Sequence, residues 1–324
     1  MATAEARRPT LDEIERAVKT LDGVVVRTPL VPLHGDRGND TQSPTLLKVE
    51  THQRVGSFKI RGVFNAVAML SDDDRRRGLS TVSAGNTAQA LAWAGRHFDV
   101  PARSVMPDTA PASKVEAVIG YGGEPVLVPV AEVFRYLREH GWRDEPYAFI
   151  HPWTNRDLMI GHGTMGLEII ADCPDVRTVY IPVGGGGLLG GMGSALKALK
   201  PDVRLVAVEP SGCPALHASV RAGKPETVEC DTICDGVAVP YITDEMFGLL
   251  RDLVDDIVLV SEDDVRAAVR RLALREKIVA EPSGALALTA ALATPAAERG
   301  PTVCIVTGGS IDAATLAGIL SGGS

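Results

Sequence analysis

The fold is decided by the stretch Val179-Tyr180-Ile181-Pro182-Val183-Gly184-Gly185-Gly186-Gly187-Leu188. Its first half is apolar and β-branched, which predicts a buried strand, and the Ala-, Leu- and Gly-rich segment that follows has helical length. Four consecutive glycines are costly, because glycine loses more backbone freedom on folding than any other residue. We interpret them as a strand-to-helix turn that a ligand approaches closely. The free N–H groups and the positive end of the helix would favour a phosphate there.

A dinucleotide site is one alternative for this turn. Its fingerprint, G-x-G-x-x-G, needs a third glycine, but Leu189 stands at that position after Gly184 and Gly186. Glu209 lies about where the acidic ribose partner is expected, but at the end of a Val-Glu-Pro strand. A nucleotide-binding oxidoreductase is therefore one alternative function for a protein with this turn. A tight turn that binds no ligand is the purely structural alternative.

Strands and helices alternate along most of the chain. β-branched runs predict strands at 79–83, 103–107, 124–129, 179–183, 204–210, 256–260 and 302–307. Amphipathic or Ala-rich segments predict helices at 87–98, 111–121, 131–140, 157–171, 262–275 and 283–293. Thr10-x-x-Glu13 and Ser261-x-x-Asp264 are typical of capping boxes. This alternation predicts an α/β protein whose parallel sheets are covered by helices on both faces.

Length and charge narrow the class of protein. The chain has 324 residues, which at about 150 residues per domain predicts two lobes. There are 33 Lys and Arg residues against 41 Asp and Glu, and the net charge of −8 argues against a nucleic-acid or membrane partner. Residues 1–21 carry charges throughout and lack the apolar core of a signal peptide, so we expect a cytoplasmic protein.

Two other features could suggest a membrane or secreted protein. Residues 178–196 form an uncharged run of 19, but seven glycines and Pro182 predict a strand, a loop and a helix instead. The cysteines are odd in number and widely spread, so we do not expect a disulfide framework. They are Cys173, Cys213, Cys230, Cys234 and Cys304. We interpret the pair at 230 and 234 as structural, because nothing nearby completes a zinc site.

Two further motifs are ambiguous when taken alone. In Gly56-Ser57-Phe58-Lys59-Ile60-Arg61-Gly62, the lysine could be an ordinary surface residue whose charged end reaches water. Ser83-Ala84-Gly85-Asn86-Thr87 follows a strand and opens a helix, where small polar residues either cap the helix or bind a carboxylate.

Taken together, these motifs resemble those of the threonine/serine dehydratases and serine racemases. Those are pyridoxal-phosphate (PLP) enzymes of the tryptophan-synthase β-like fold, known as fold type II. Five motifs occur here in the order found in that family: 57–62, 83–86, 184–187, 281–285 and 307–312. The resemblance runs from Arg27 to Asp312 and includes Met106-Pro107, Ser113-Lys114 and the stretch 161–168.

The resemblance implies a cofactor site. Lys59 would bind PLP as a Schiff base and, once the substrate amine displaces it, act as the base at Cα. The tetraglycine would hold the phosphate, Asn86 the ring 3′-oxygen, and Thr307 would face the pyridine nitrogen. A hydroxyl does not hold that nitrogen protonated, which favours loss of a β leaving group over a long-lived carbanion. The full predicted set is Phe58, Lys59, Asn86, Gly184, Gly185, Gly186, Gly187, Leu188, Glu281 and Thr307.

The resemblance also implies a substrate site. Ser83, Gly85 and Thr87 would present donors to the substrate carboxylate, and the full predicted set adds Ala84, Trp153 and Gly236. Ala84 stands where the racemases place a serine as second acid–base group. Thr87 replaces the usual histidine, Arg54-Val55 replace the usual Pro-Thr, and Trp153 replaces Phe or Asn. The substrate therefore need not be threonine. Glu209 matches the first acid of the racemases' cation site, but the second falls near Ala215, so we expect no metal.

We therefore predict an α/β fold with two open twisted sheet domains. Residues 1–66 and 150–324 would form a large PLP-binding domain, and residues 67–149 a small mobile one. The expected reaction is PLP-dependent β-elimination of a small β-hydroxy amino acid, such as L-threonine or L-serine, to a 2-keto acid and ammonia, catalysed by a homodimer. Three alternative enzymes stay open: a lyase for a different β-substituted amino acid, a serine racemase, and a β-replacement synthase of the cysteine-synthase type. A catalytically silent PLP carrier is a further possibility.

Overall fold

A computed structural model describes residues 6–34 and 43–322. Residues 1–5, 35–42 and 323–324 lie outside the described residues. They include part of the predicted large domain and part of the segment in which no signal peptide was expected. Ten strands are found in those ranges: β1 Leu30–Pro32, β2 Thr45–Val49, β3 Leu79–Val82, β4 Ala102–Pro107, β5 Glu124–Val128, β6 Ala148–Phe149, β7 Thr178–Pro182, β8 Arg204–Pro210, β9 Asp256–Val260 and β10 Thr302–Val306.

The α-helices of the described ranges lie between and around these strands. They are α1 Leu11–Thr20, α2 Lys59–Ala68, α3 Asp72–Arg76, α4 Asn86–Phe98, α5 Ala112–Gly120, α6 Val130–Arg138, α7 Arg156–Asp172, α8 Gly187–Leu199, α9 Ala215–Ala222, α10 Asp244–Leu253, α11 Glu262–Arg271, α12 Pro282–Ala293, α13 Ala296–Arg299 and α14 Ala313–Ser321. Short 3-10 turns occur at Glu50–His52, Gly141–Asp144 and Asp235–Val237. Among the described residues, no helix combines the length and the apolar character needed to span a bilayer.

The strands form two sheets, as the α/β prediction requires. The larger has the order β1-β2-β10-β7-β8-β9, and the smaller has the order β5-β4-β3-β6. All neighbours are parallel except β1 and β2, where Leu30 lies opposite Lys48 in an antiparallel pair. The purely parallel prediction was wrong for this edge. β1 has only three residues and contains Pro32, which lacks an N–H group and is tolerated at a sheet edge.

Helices α2, α7 and α8 pack backbone against backbone. A Cβ atom at Gly191 of α8 would overlap the carbonyl oxygen of Met159, and one at Gly161 of α7 would overlap that of Arg61 in α2. The glycines therefore let α7 lie close to both of its neighbours. Interiors are packed as densely as organic crystals, so this contact leaves little freedom in the position of α2.

A buried ionic network links the start of α2 to strand β2, to the 3-10 turn that follows β2 and to helix α7. The Arg61 guanidinium donates to Glu50 at 2.8 Å and to Glu168 of α7 at 2.7 Å. Lys48 of β2 donates to Glu168 at 2.5 Å, and the Thr28 hydroxyl donates to Glu50 at 2.6 Å. Burial would raise the pKa of Glu50, but the charges of Arg61 and Lys48 and the hydrogen bonds from Arg61 and Thr28 together outweigh burial and lower that pKa. Two cations and two anions thus satisfy one another inside the protein.

The structure contains a disulfide bond that the number and spacing of the cysteines did not predict. Cys213, just before α9, and Cys230 form a disulfide across 17 residues of sequence. The Asp231 N–H donates to the Gly212 carbonyl at 2.9 Å, which brings the two segments together in a way that spacing along the chain does not reveal. Cys234 is buried and lies outside this bond.

The predicted helix boundaries were correct to within a few residues, with one exception. The helix expected over 262–275 ends as α-helix at Arg271 and continues as a π-helical segment, Leu272–Glu276. Thr10 and Glu13 form the full reciprocal capping box. Ser261 caps α11 by accepting from the Asp264 N–H at 3.2 Å, while its hydroxyl donates to the Asp264 carboxylate.

Candidate active site

The candidate site is a cavity of about 370 Å³ between the two sheets. Its walls come from the carboxyl ends of β3 and β7 and from the segments that follow them, which is where open α/β sheets bind ligands. Most of the predicted site residues line it. They are Phe58, Lys59, Ser83, Ala84, Gly85, Asn86, Thr87, Trp153, Gly185, Gly186, Gly187, Leu188, Gly236 and Glu281.

Two predicted residues lie elsewhere. Thr307 lines a second, narrower cavity of about 40 Å³, which shares Lys59, Asn86 and Glu281 with the large one. Gly184 lies on neither wall, because it packs against the backbone of Val237, and a Cβ atom there would come within 2.9 Å of the Val237 Cα. The structure therefore gathers three of the four glycines around the large cavity.

Lys59 is the first residue of α2 and points into the cavity. The backbone before it is held by the Phe58 N–H, which donates to the Thr307 carbonyl at 3.0 Å. The Lys59 amine lies 5.0 Å from the centre of the Phe58 ring, and that ring contacts the buried His162 imidazole at 4.7 Å. Burial lowers the pKa of Lys59 to about 8, against an opposing contribution from Glu281. The amine is therefore more easily deprotonated than an ordinary lysine.

The tetraglycine turn fits closely under neighbouring side chains. Gly186 has a φ of 89°, in the left-handed region, and a Cβ atom there would overlap Leu250. A Cβ atom at Gly185 would overlap the indole of Trp153. Helix α8 begins at Gly187, and none of the described side chains caps its first turn. The positive end of this helix is thus available to an anion in the cavity.

Asn86 and Glu281 meet at the floor of the cavity. The Asn86 side-chain N–H donates to the Glu281 carboxylate at 2.7 Å, whereas the Asn86 carbonyl oxygen is buried without a partner among the described residues. Burial and the charge of Asp235 raise the pKa of Glu281 to about 7, although Lys114, Asn86 and Lys59 oppose them. A buried acceptor without a partner is costly, which is expected where a polar ligand group completes the site.

The segment from Ser83 to Thr87 forms another part of the wall. Gly85 is the N-cap of α4, and its N–H donates to the Ser83 hydroxyl at 3.2 Å. Within the part of the chain that the structure describes, no side chain caps the first turn of α4, and Thr87 in that turn is buried. Ala84 contributes only a methyl group to the cavity. The segment can therefore offer backbone donors to an anion, but no acid–base group at position 84.

Sequence reasoning missed an ion pair that crosses the cavity. Lys114 of α5, on the small-sheet side, donates to Asp235 in the 3-10 turn on the large-sheet side. Lys114 was noted only as part of the resemblance, and Asp235 was not noted at all. A charged residue directly before the predicted site residue Gly236 was the signal that could have pointed to it.

Glu209 serves as a helix cap in this structure. Its carboxylate accepts the N–H groups of Leu216 at 2.7 Å and His217 at 2.8 Å, at the start of α9. Burial raises its pKa to about 7, against the effect of these two hydrogen bonds. Within residues 6–34 and 43–322, no three His, Cys, Asp or Glu side chains come together as a metal-binding group.

The chain is similar to known enzymes over almost its whole length. Residues 21–308 match the family described as "Pyridoxal-phosphate dependent enzyme". The L-threonine ammonia-lyase of Thermotoga maritima is 38% identical over 94% of this chain and 76% of its own. The catabolic L-threonine dehydratase of Escherichia coli strain K12 is 36% identical over 93% of each chain. The solved structure of maize serine racemase superposes with a TM-score of 0.88, at 33% identity and over 98% of each chain.

The fold and the comparisons together define a PLP-dependent enzyme of fold type II. The chain belongs to the pyridoxal-phosphate dependent enzyme family, among the relatives named threonine ammonia-lyases and serine racemases, and it is a PLP-dependent lyase. The family, fold and cofactor predicted from the five motifs are thereby confirmed. This cofactor fits the Lys59 amine that lines the cavity, the unpartnered buried acceptor of Asn86 and the glycine turn that has no room for side chains.

The pKa of Lys59 leads to a testable prediction about its reactivity. In the cofactor-free protein, acetylation of Lys59 should rise with pH through a midpoint of about 8 instead of 10.5, because only the neutral amine is nucleophilic and burial disfavours the cation. Mass spectrometry of the Lys59 peptide over a pH series measures this. Glu281→Gln removes the charge that raises the pKa, so its midpoint should be lower. A midpoint near 10.5 in both proteins would contradict the assignment.

Proposed function

We propose that this enzyme catalyses the β-elimination of a small β-hydroxy amino acid, with L-threonine or L-serine as the simplest substrates. Loss of the Cα proton and of the β-hydroxyl as water yields an enamine, which becomes an imine and hydrolyses to a 2-keto acid and ammonia. The names of the two bacterial relatives support this reaction for them. The single observation that carries it to this chain is a half-buried Lys59, with a pKa lowered to about 8, in a cavity where position 84 is alanine.

We propose the following roles for the residues that hold the cofactor. Gly185, Gly186 and Gly187, with Leu188, hold its phosphate at the start of α8, whereas Gly184, which packs against Val237, lies outside the cavity. Asn86 binds the ring oxygen through its side-chain amide, and Phe58, Glu281 and Thr307 contact the ring. When bound, PLP supplies an electron sink that makes the Cα proton of an amino acid removable. Lys59 anchors the cofactor covalently.

The chain's own groups then account for the direction of the reaction. With a pKa of about 8, the Lys59 amine has a substantial neutral fraction near neutral pH and can take the Cα proton. Ser83, Gly85 and Thr87 orient the substrate carboxylate at the start of α4. Trp153 and Gly236 confine its side chain. Racemisation would need a second group that returns a proton to Cα, and the Ala84 methyl cannot do so. Elimination is therefore favoured over racemisation.

The Ala84 argument leads to a direct test of reaction type. We expect the enzyme to convert L-serine to keto acid and ammonia with little D-serine, and Ala84→Ser to raise the racemised fraction, because a positioned acid–base group contributes about 10²–10⁴-fold. Chiral chromatography and ammonia assay of the same mixtures measure both products. Lys59→Ala should abolish both. D-Serine forming faster than keto acid in the unmutated enzyme would overturn the proposal.

We also propose that residues 67–149 move as a small domain relative to residues 1–66 and 150–324. The Lys114–Asp235 pair would then hold the small domain closed over the cavity. Lys114→Met should raise KM by about two- to fivefold and speed hydrogen exchange in α5, as expected for the loss of one partly exposed ion pair. Lys197→Met, which breaks the Lys197–Asp255 pair away from the cavity, is the control. Equal effects in both variants would contradict a closing role.

We propose finally a cytoplasmic homodimer. The net charge of −8, which disfavours an anionic membrane surface, supports the location. The apolar side chains of Leu274 and Val279 are 54% and 50% exposed on either side of the turn at Lys277, which supports association through this surface. Light scattering should give twice the chain mass of 34.2 kDa, and Leu274→Lys should lower it. A monomer before mutation would rule out the dimer.

A further inference from the structure

We propose that the preferred substrate carries a large apolar group on Cβ, of aromatic size, in place of the methyl group of threonine. This inference rests on the proposed function, because it names the substrate class of the same site. It comes from one wall of the cavity that none of the catalytic assignments uses.

Helix α6 presents an apolar stripe to the cavity. Val130, Val133, Phe134 and Leu137 are spaced i, i+3, i+4 and i+7, which places them on one face of the helix, and all four line the cavity. Val130 is 44% exposed and Phe134 is partly exposed, whereas Val133 and Leu137 are buried, so the open part of this wall lies at Val130 and Phe134. The stripe therefore has apolar surface available to a ligand.

The opposite face of α6 carries polar and charged side chains instead of an apolar stripe. Glu132 and Arg135 pair with each other there, and Tyr136 donates to Glu145 at 2.7 Å. These residues border a different depression on the small-sheet side, which Val105, Val126 and Val128 also line. One helix thus separates a charged surface from an apolar wall that faces the reaction site.

Trp153 and Val239 face this stripe from the large-sheet side. The indole of Trp153 lies against Gly185, where any Cβ atom would overlap it, and His151 meets it edge-on at 4.8 Å. These contacts fix the ring in place without covering its cavity side. A substrate side chain would therefore meet a rigid aromatic surface, and aromatic pairs gain stability beyond their buried area.

The charged groups on the cavity wall are already engaged. Lys114 is paired with Asp235, and Glu281 accepts from Asn86. Among the described residues that line the cavity, Lys59 is the remaining charged side chain, and the proposed reaction uses it. A carboxylate or ammonium on the substrate side chain would lose water and would meet charged groups that are already paired. The Trp153 indole N–H is the one buried donor without a partner among the described side-chain atoms of this wall. A methyl group would cover little of the apolar wall, whereas an aromatic ring would contact both sides.

The specificity of the holoenzyme tests this inference. We expect kcat/KM for L-threo-3-phenylserine to exceed that for L-threonine by at least about tenfold, since a single methylene in an apolar pocket changes it by about 10–200-fold. Phe134→Asn should lower kcat/KM for phenylserine by about tenfold or more and that for threonine much less. Arg135→Gln, on the outer face of α6, is the matched control and should change neither. Keto-acid formation is followed for both substrates.

A binding measurement separates this inference from the proposed function. Titration calorimetry of the holoenzyme should show L-phenylalanine binding at least about tenfold more tightly than L-alanine, with the difference lost in Phe134→Asn and in Val130→Asn. The second variant changes a half-exposed residue and keeps the test valid if the first does not fold. Ammonia from threonine with no preference for the aromatic ligands would overturn the inference alone. No ammonia from any substrate would overturn the proposed function, and the calorimetry would still decide whether the wall accepts an aromatic group.

Discussion

The ionic network around Arg61 is the interaction on which the site depends. Lys59 lies two residues before Arg61 in the first turn of α2. The contacts that hold the Arg61 side chain therefore also set where the Lys59 amine enters the cavity. Arg61 is held by Glu50 and Glu168, from two different parts of the large-sheet unit. Breaking a buried pair by removing one partner leaves an uncompensated charge and is strongly destabilising. The position of the Lys59 amine, which we propose to be catalytic, is thus set by groups that do not line the cavity.

The glycine turn and the Trp153 indole also depend on each other, through the space that they share. The turn has no side chains, so its backbone can face a phosphate, and the same lack of a Cβ atom at Gly185 makes room for the indole. Trp153 in turn fills the space above the turn and forms part of the cavity wall. A substitution at either position would therefore change both the cofactor side and the substrate side of the site.

Local patterns in the sequence were enough to predict the parts of the fold that are local. Strand and helix periods gave the approximate bounds of seven strands and six helices, and four of the five motifs gave residues that line the large cavity, because each motif is a short backbone segment with its own geometry. Features that join distant segments were not predictable in this way. The Lys114–Asp235 pair joins residues 121 positions apart, and the Cys213–Cys230 bond depends on a backbone contact between two loops. The antiparallel strand β1 is too short to give a periodic signal.

The two halves of the site are built in different ways, one from local motifs and the other from segments that are distant in the sequence. The part of the site around Lys59, Asn86 and the glycine turn, here called the floor, is built from local motifs and carries the proposed chemistry. The apolar wall is assembled from α6 on the small-sheet side and from Trp153 and Val239 on the large-sheet side, so it exists only when the two sheets are brought together. Contacts to the wall affect which side chain is held during the reaction, and contacts to the floor affect whether the Cα proton leaves. Selectivity can therefore vary through α6 while the floor stays the same, since the residues proposed to hold the cofactor all lie on other elements.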